Sequence, residues 1–227
     1  MNARLIARYA FREILGWVCM AAALFWSAGR LDWWAAWGAL AVMLAWIVGT
    51  AAVILRIHPD LLAERLGPRK GSQRWDTLLM SAVGMLQLGR YILAGLDQRY
   101  GWTGSFPLSA QILALVICFL AYALVVWATA SNAYFSQIVR LQPERGQTVV
   151  TGGPYHTVRH PAYAGALIYE LAVGILLASW WALLAGGLTA ALLIVRTALE
   201  DRYLQAALPG YAAYARQVRY RLFPAVW

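Results

Sequence analysis

The sequence predicts an all-α, polytopic integral membrane bundle of about six spans that ends in a helical hairpin. Of the 227 residues, 62% are hydrophobic and 13% are charged, and the mean hydropathy is +0.57. Soluble domains are about 45–50% apolar and about 25% charged. The excess of apolar residues falls in long runs that approach the ~20 residues needed to cross a bilayer. Lys and Arg are concentrated in alternate connections between these runs, as in membrane proteins.

Six apolar segments account for the predicted spans. They are Ile14–Ala28, Trp33–Leu55, Thr77–Leu96, Phe106–Ala130, Ala162–Ala178 and Trp181–Val195. The last two are short and are joined by Ser179 and Trp180, which predicts the hairpin. Its second arm is expected to continue to about Leu208, where Pro209 and Gly210 stop the helix.

The distribution of Lys and Arg predicts that both termini are cytoplasmic. Most of the 19 basic residues precede the first segment, lie in the second and fourth connections or follow the last segment. The opposite connections contain Arg30 and Arg99. This orientation requires an even number of spans. We expect no cleavable signal peptide, since the first apolar run continues without a small-residue cleavage pattern. The single Lys against 18 Arg indicates a GC-rich genome and a bacterial inner membrane.

Charge, cysteine and histidine patterns exclude some classes of partner. The net charge of +9 follows membrane topology, so no nucleic-acid partner is expected. Cys19 and Cys118 lie inside apolar segments without metal-type spacing, and we expect both to be small core residues. His156 and His160 are four residues apart, a spacing found in helical zinc sites. Pro161 and the preceding glycines interrupt a helix there, and no third ligand is near, so no metal site is predicted.

Residues 152–165 form a polar, rigid segment between two apolar ones and read GGPYHTVRHPAYAG. The two glycines and the proline at its start predict a turn. Pro161 disfavours helical angles at His160, so the next helix is predicted to begin at or after Pro161. Tyr155, His160 and Tyr163 then offer hydrogen bonds and aromatic faces beside the free N–H groups of that helix, which suits a charged ligand. A rigid interfacial loop, with Arg159 paired to a lipid phosphate, is an equally open interpretation.

Arg196, Glu200 and Tyr203 follow the last apolar segment at the i, i+4 and i+7 positions of one helix face. One interpretation is a surface ion pair worth ~0.3–0.5 kcal/mol. However, Arg before Glu is the weaker orientation for such a pair. The group also emerges directly from an apolar span, where charge is costly. We therefore favour a functional role for these residues.

Two further groups of polar residues are notable. Tyr211, Tyr214 and Val218 form an apolar stripe in an arginine-rich tail, which predicts a short helix that anchors at the membrane interface. Arg90 and Glu170 lie within predicted spans, where ionisable residues usually face the interior of the bundle. Arg90 can instead extend its side chain toward the interface, and the sequence identifies no partner for Glu170.

Three segments together resemble one protein family. They read RGQTVVTGGPYHTVRHPAYAG, EDRYL and PGYAAYARQVRYRLFP, and they are similar to the isoprenylcysteine carboxyl methyltransferases and the related phospholipid methyltransferases. The resemblance covers about Asn132 to Pro224. It implies an all-helical integral membrane enzyme with a cytoplasmic pocket for S-adenosyl-L-methionine.

By this resemblance, Arg196 and Glu200 lie at the reaction centre, where cofactor and acceptor meet. The residues implied to bind the cofactor are Arg140, Gln147, Thr148, Val149, Val150, Tyr155, His160 and Tyr163. The chain departs from the family pattern at Asp201, where a second Glu is common; the shorter carboxylate either retunes the pocket or is neutral. We expect one membrane domain over residues 1–227, with 1–105 of unassigned role and a methyltransferase core at 106–227.

The methyl acceptor is expected to be lipophilic and to resemble an isoprenylcysteine carboxylate, with membrane lipid as the surrounding partner. A phospholipid amine or a small thiol is an alternative acceptor, and an amine would first have to lose a proton to Glu200 or His160. A transporter or membrane scaffold is the non-enzymatic alternative. Transporters typically place broken helices or paired charges at the middle of the membrane, whereas the polar clusters here are predicted at one face. The oligomeric state is left open.

Overall fold

A computed structural model describes residues 3–66 and 71–227, and the regular structure in these ranges is entirely helical. The α-helices are α1 (Ala3–Ala28), α2 (Trp34–Arg56), α3 (Asp60–Leu66), α4 (Arg74–Tyr100), α5 (Leu108–Ser131), α6 (Pro161–Leu176), α7 (Trp180–Ala207) and α8 (Tyr211–Gln217). Short 3₁₀ turns occur at Pro143–Arg145 and Gly153–His156. The predicted all-α class is confirmed.

Five of the helices in the described part of the chain are long and apolar enough to cross a membrane: α1, α2, α4, α5 and α7. The chain is therefore an integral membrane protein. Helix α6 is apolar but has 16 residues, which gives a length of about 24 Å at ~1.5 Å per residue. The predicted count of six spans depends on whether this shorter helix crosses.

Six helices pack in a closed ring. Each contacts the next in the order α1, α2, α5, α6, α7 and α4, and α4 returns to α1. Small residues allow close approach where α5 meets α6, since a Cβ on Gly165 would lie 2.6 Å from the carbonyl oxygen of Ala121. The ring leaves space at its centre, and this space contains the candidate site.

The hairpin of α6 and α7 forms as predicted, with slightly different ends. Residues 177–179 connect the two helices, and α7 begins at Trp180, which the sequence placed in the connection. The Ser179 hydroxyl accepts a hydrogen bond from the Ala182 N–H (3.1 Å) and donates one to Asp97 of α4 (2.5 Å). The second arm ends at Ala207, close to the predicted Leu208.

Helix α1 begins at Ala3, well before the predicted start at Ile14. Tyr9 in this extension is buried against Ile54, Leu61 and Leu62, so tertiary packing extends the helix beyond the apolar run. Helix α3, which supplies two of these contacts, was not predicted, because seven residues are too few for a clear periodic pattern. Arg69 and Lys70, which the sequence assigns to the second connection, lie outside the described residues.

The C-terminal helix α8 buries its tyrosine face against the rest of the protein. Tyr211 and Tyr214 are each 5% exposed and pack with Leu141, Val149 and other apolar residues of the connection and of α7. The tyrosine stripe, which the sequence analysis directed to the membrane interface, therefore faces protein instead. A similar correction applies to Cys19, which is exposed on α1, whereas Cys118 is buried as expected.

Candidate functional site

A cavity of about 760 Å³ lies inside the helix ring. Its walls come from all six ring helices, from the connection between α5 and α6, and from α8. Cofactor and ligand pockets usually fall in the range of roughly 300–1,000 Å³. The ten residues that the sequence selected all line this cavity: Arg140, Gln147, Thr148, Val149, Val150, Tyr155, His160, Tyr163, Arg196 and Glu200.

The segment from Gln147 to Val150 has no regular secondary structure and follows the first 3₁₀ turn. The Gln147 side-chain oxygen accepts a hydrogen bond from the Gln142 N–H at 2.7 Å, which fixes the start of the segment. Within the described ranges, residues 148–150 form no backbone–backbone hydrogen bond. Their N–H and C=O groups are therefore available to a ligand in the cavity.

Arg140 lines the cavity and forms ion pairs with two carboxylates. Its guanidinium donates to Glu64 of α3 at 2.5 and 3.0 Å and pairs with Glu144 at 2.8 Å. The hydrogen bond from Arg140 lowers the pKa of the Glu64 carboxyl. Ser136 donates to the same carboxylate at 2.8 Å. Arg140 thus joins α3 to the connection that borders the cavity.

The polar segment at residues 152–165 forms the predicted turn and helix start. Gly153 has φ +59°, a left-handed conformation that glycine adopts without strain. Tyr155 is buried; its hydroxyl accepts from the Asn132 amide (3.2 Å), and its carbonyl accepts from the Tyr214 hydroxyl (2.6 Å). Burial raises the pKa of Tyr155, so it stays a neutral phenol. Helix α6 begins at Pro161, as expected.

Tyr163, Arg196 and Glu200 form the central group of the site. The Tyr163 hydroxyl of α6 donates to a Glu200 carboxylate oxygen of α7 at 2.5 Å. The Arg196 guanidinium carbon lies 5.2 Å from the centre of the Tyr163 ring, within the range of a cation–π contact. Arg196 is 5% exposed, so the alternative of a surface ion pair between Arg196 and Glu200 is wrong.

Arg196 is held by groups that the sequence analysis missed. Its Nε donates to the Asp76 carboxylate of α4 at 2.6 Å, and its Nη2 donates to the Gln137 carbonyl at 3.0 Å. Asp76 is fully buried, and its second oxygen accepts from the Val139 N–H at 2.8 Å. The only signal in the sequence was a carboxylate next to the start of the predicted span at Thr77.

Asp201, which the sequence analysis noted only as a departure from the family pattern, joins three parts of the chain. It accepts hydrogen bonds from Arg159 at 2.7 and 2.9 Å and from Arg221 at 2.9 Å. The His160 Nε2 lies 3.2 Å from the same carboxylate, and the Tyr211 hydroxyl donates to it at 3.2 Å. Asp201 is fully buried. Arg159 therefore pairs with a protein carboxylate, and its pairing with a lipid phosphate is wrong.

The structure gives Arg90 and Glu170 each other as partners, which the sequence analysis did not identify. Their side chains form an ion pair and are 1% and 2% exposed, so Arg90 does not extend toward the interface. The Gln87 amide donates to the other Glu170 oxygen at 2.8 Å. Across residues 3–66 and 71–227, no group of three or more His, Cys, Asp or Glu side chains is arranged to hold a metal ion.

Comparisons with known proteins show what this chain is similar to. Residues 112–206 match the model of the isoprenylcysteine carboxyl methyltransferase (ICMT) family. A curated relative, the cobalt-zinc-cadmium resistance protein CzcN of Cupriavidus metallidurans, is 38% identical over 82 residues, which cover 32% of this chain and 34% of that protein. The match thus spans about a third of the length of the relative. A solved structure of the eukaryotic intramembrane Ras methyltransferase ICMT aligns with a TM-score of 0.47 and 16% identity, over 100% of this chain and 88% of that one.

Proposed function

We propose, from the premise that residues 112–206 belong to the ICMT family, that this integral membrane protein is a methyltransferase that uses S-adenosyl-L-methionine. Its acceptor would be a lipophilic molecule similar to an isoprenylcysteine carboxylate. One observation carries the proposal: the ten residues chosen by family resemblance come from separate parts of the chain and line one cavity inside a ring of membrane helices. A cavity in this position suits a lipid-soluble acceptor and a polar cofactor.

The residues present fit the chemistry of the cofactor. S-adenosyl-L-methionine combines a sulfonium cation, an amino-acid carboxylate and an adenine ring. The tyrosine faces of Tyr155 and Tyr163 and the carboxylate of Glu200 would receive the cation. The unpaired backbone groups of residues 148–150 and the Gln147 side chain would bond to the adenine and ribose. Arg140 and His160 line the same cavity, and we assign them to its polar border.

When bound, the cofactor would supply an electrophilic methyl group. Arg196 would hold the acceptor through its guanidinium, which has five N–H donors, of which the contacts with Asp76 and Gln137 use two. A guanidinium binds a carboxylate with good geometric match. Tyr163 and Glu200 would then fix the approach to the reacting atom, since methyl transfer to a carboxylate or thiolate depends mainly on orientation.

An amine or thiol acceptor is the alternative within the same activity. An amine would need Glu200 to take a proton. His160 is less suited to that role, because its Nε2 faces Asp201 at 3.2 Å and the Tyr211 hydroxyl at 3.3 Å. The N–H donors of Arg196 that Asp76 and Gln137 leave unused favour an acceptor with carboxylate oxygens. We also propose that the site opens to the cytoplasm and that the protein lies in a bacterial inner membrane.

Labelled transfer tests the proposal directly. Membranes that contain the protein are incubated with methyl-labelled S-adenosyl-L-methionine, and the labelled product is extracted and identified. We expect one labelled lipophilic product, and S-adenosylhomocysteine should bind the purified protein.

The Glu200→Gln variant should lose most of the transfer, whereas Asp32→Asn, which changes an exposed carboxylate far along the chain, should not. Absence of S-adenosylhomocysteine binding in the wild type would contradict the proposed function. If the labelled product is an amine or a thiol, the methyltransferase activity is supported and the proposed acceptor is replaced by the alternative one.

A further inference from the structure

We infer that the deep end of the cavity contains a second recognition site, which binds a neutral hydrogen-bonding group on the hydrophobic part of the acceptor. The inference rests on the proposed function, because it concerns the acceptor of the same reaction. It predicts that the hydrophobic part of the acceptor has a polar substituent and is not a plain hydrocarbon chain.

A buried polar cluster forms this second site. Arg90 of α4 and Glu170 of α6 make an ion pair inside the helix ring. Gln87 donates to Glu170 at 2.8 Å, and the Arg90 Nη2 donates to the Tyr91 hydroxyl at 3.1 Å. The Tyr91 and Tyr169 hydroxyls lie 3.1 Å apart and extend the network from α4 to α6.

The cluster is costly for a membrane protein, and stability does not explain it. A charge at the bilayer centre costs ~2.5–3.5 kcal/mol on insertion scales. A buried ion pair is often no more stable than apolar residues of similar volume. Helix α7 packs closely on the pair, since a Cβ on Gly186 would lie 2.2 Å from the Glu170 carbonyl oxygen. A cluster enclosed in this way and directed to a cavity indicates a role in binding.

The cluster and the reaction centre share one cavity. Gln87, Tyr91, Tyr169 and Glu170 line it together with the residues of the central group. Tyr163 and Glu170 are seven residues apart on one face of α6, which separates them by about 10 Å along the helix axis. An acceptor that reacts beside Tyr163 therefore reaches the cluster with a part of the molecule about 10 Å from the methylated atom.

The charges of the cluster define the chemical class of this second group. Arg90 and Glu170 compensate each other, so an additional charged group would have no counter-charge. Glu170 is 2% exposed, so the half-buried Gln87 is the member that meets a ligand from the cavity. Its NH₂ group donates to Glu170, and its amide oxygen can accept a hydrogen bond from a donor on the ligand. A hydroxyl or an amide N–H satisfies these conditions.

The surrounding wall is aromatic and apolar. Tyr122 stacks on Tyr169 with ring centres 4.1 Å apart, and Trp46 stacks on Tyr122 at 5.3 Å. Met20 and Met43 line the same part of the ring from α1 and α2. The Trp46 indole N–H is buried, and it has no hydrogen-bond partner among the residues described. The acceptor is thus a hydrophobic molecule with one neutral polar substituent on its body.

Paired probes test the inference without turnover. Stearate and a mid-chain hydroxystearate have the same carboxylate and chain length and differ in one hydroxyl. Their dissociation constants are measured for the purified wild type and for the double variant Arg90→Met/Glu170→Leu in the same detergent. Each probe partitions into the micelles to the same extent in both samples, so this effect cancels when the two proteins are compared.

We expect the preference for the hydroxylated probe to be roughly tenfold greater in the wild type, the ratio that ~1.4 kcal/mol gives. Equal preference in the wild type and the double variant would overturn the inference. If the double variant fails to fold, Gln87→Leu takes its place, with Gln98→Leu on the same helix as the matched control; Gln98 does not line the cavity. Only Gln87→Leu should then reduce the preference, and no reduction would equally overturn the inference.

Binding of S-adenosylhomocysteine is measured in the same preparations and reports on the proposed function separately. The double variant should bind it as the wild type does, because the substituted residues lie about 10 Å deeper than Tyr163. Loss of the hydroxyl preference with intact S-adenosylhomocysteine binding supports the second site. A wild type that binds no S-adenosylhomocysteine but prefers the hydroxylated probe would overturn the proposed function and leave the second site standing.

Discussion

At the scale of single residues, four side chains form a line of contacts from α4 to the cavity. Asp76 binds Arg196, Arg196 lies over the ring of Tyr163, and Tyr163 donates to Glu200. Each contact restricts the orientation of the next side chain. The reaction centre proposed for Arg196 and Glu200 therefore depends on Tyr163 beside it and on Asp76, which acts only through Arg196.

Removal of the Tyr163 hydroxyl should slow transfer without loss of the fold. Tyr163→Phe keeps the ring under Arg196 but leaves Glu200 without its donor. A hydrogen bond to a charged group contributes ~1.5–3 kcal/mol, so we expect the initial rate of labelled transfer to fall roughly 10- to 100-fold. The control is Tyr203→Phe on α7, because Tyr203, which the sequence analysis grouped with Arg196 and Glu200, lies outside the cavity lining. Equal rates for both variants would refute a role for the Tyr163 hydroxyl.

Neutralisation of Asp76 should affect both stability and turnover. Asp76→Asn preserves the shape of the side chain but leaves the buried Arg196 guanidinium without its counter-charge. Loss of one partner of a buried pair costs ~3–5 kcal/mol, and the hydrogen bond retained by Asn should keep the effect at the lower end. Thermal unfolding and the transfer rate measure the two effects. An unchanged melting temperature would show that the pair with Arg196 contributes little.

At the scale of elements, Asp201 connects the start of α6, the end of α7 and the C-terminal tail. It bonds to Arg159 before α6 and to Arg221 after α8. The tail also bonds through its backbone, since the Arg159 and His160 N–H groups donate to the Tyr220 and Arg221 carbonyls at 3.0 and 2.8 Å. These bonds fix the tail to the start of α6, beside Arg159 and His160 of the cavity lining.

Asp201→Ala should loosen the attachment of the tail. The variant leaves two arginines without their shared carboxylate, and we expect a loss of roughly 3–5 kcal/mol in stability and faster proteolysis of the tail. Asp201→Glu should recover part of both, because it restores the charge with a longer side chain. Limited proteolysis with mass spectrometry measures the release. A tail as resistant in Asp201→Ala as in the wild type would exclude this role.

The contact between α3 and Arg140 should weaken in acid. Arg140 lowers the pKa of Glu64 in the folded protein, so the contact adds stability above the unfolded pKa of ~4.3 and loses it as the pH falls through the folded value. The protection of α3 amides, measured as the exchange rate relative to the intrinsic rate at each pH, should therefore fall below about pH 4. Glu64→Gln should show no such step. A step that persists in this variant would assign the pH dependence to another group.

Local chemistry explains which elements the sequence could predict. The start of α6 was predicted because Pro161 and the residue before it are constrained by their own sterics. The contact of Asp76 with Arg196 joins positions 120 residues apart in the chain, and no local pattern reports such a pairing. Helix α3 and the extension of α1 were not predicted for a related reason, since they depend on packing among Tyr9, Ile54 and Leu61. The family resemblance supplied the candidate site residues, and their roles stay predictions.

At the scale of the whole molecule, the ring and the basic residues together predict the orientation in the membrane. Both termini lie on the same side only if α6 crosses together with the five longer helices. We predict that a cysteine at Asp32 is labelled from outside intact cells and that one at Arg216 is labelled only after permeabilisation. Each cysteine is introduced into a protein that contains Cys19→Ser and Cys118→Ser, so that it is the single thiol available for labelling. Labelling of both positions from outside would contradict the six-span topology.

The closed ring has a consequence for how such proteins diversify. The family segment at residues 112–206 builds one side of the ring, with most of α5, all of α6 and nearly all of α7. The facing wall of α1, α2 and α4 comes from outside that segment. Substitutions in that wall can therefore change the shape and polarity of one side of the cavity while the side proposed to bind the cofactor keeps its residues. If the proposed function holds, a lineage could in this way exchange its methyl acceptors by altering only its N-terminal helices.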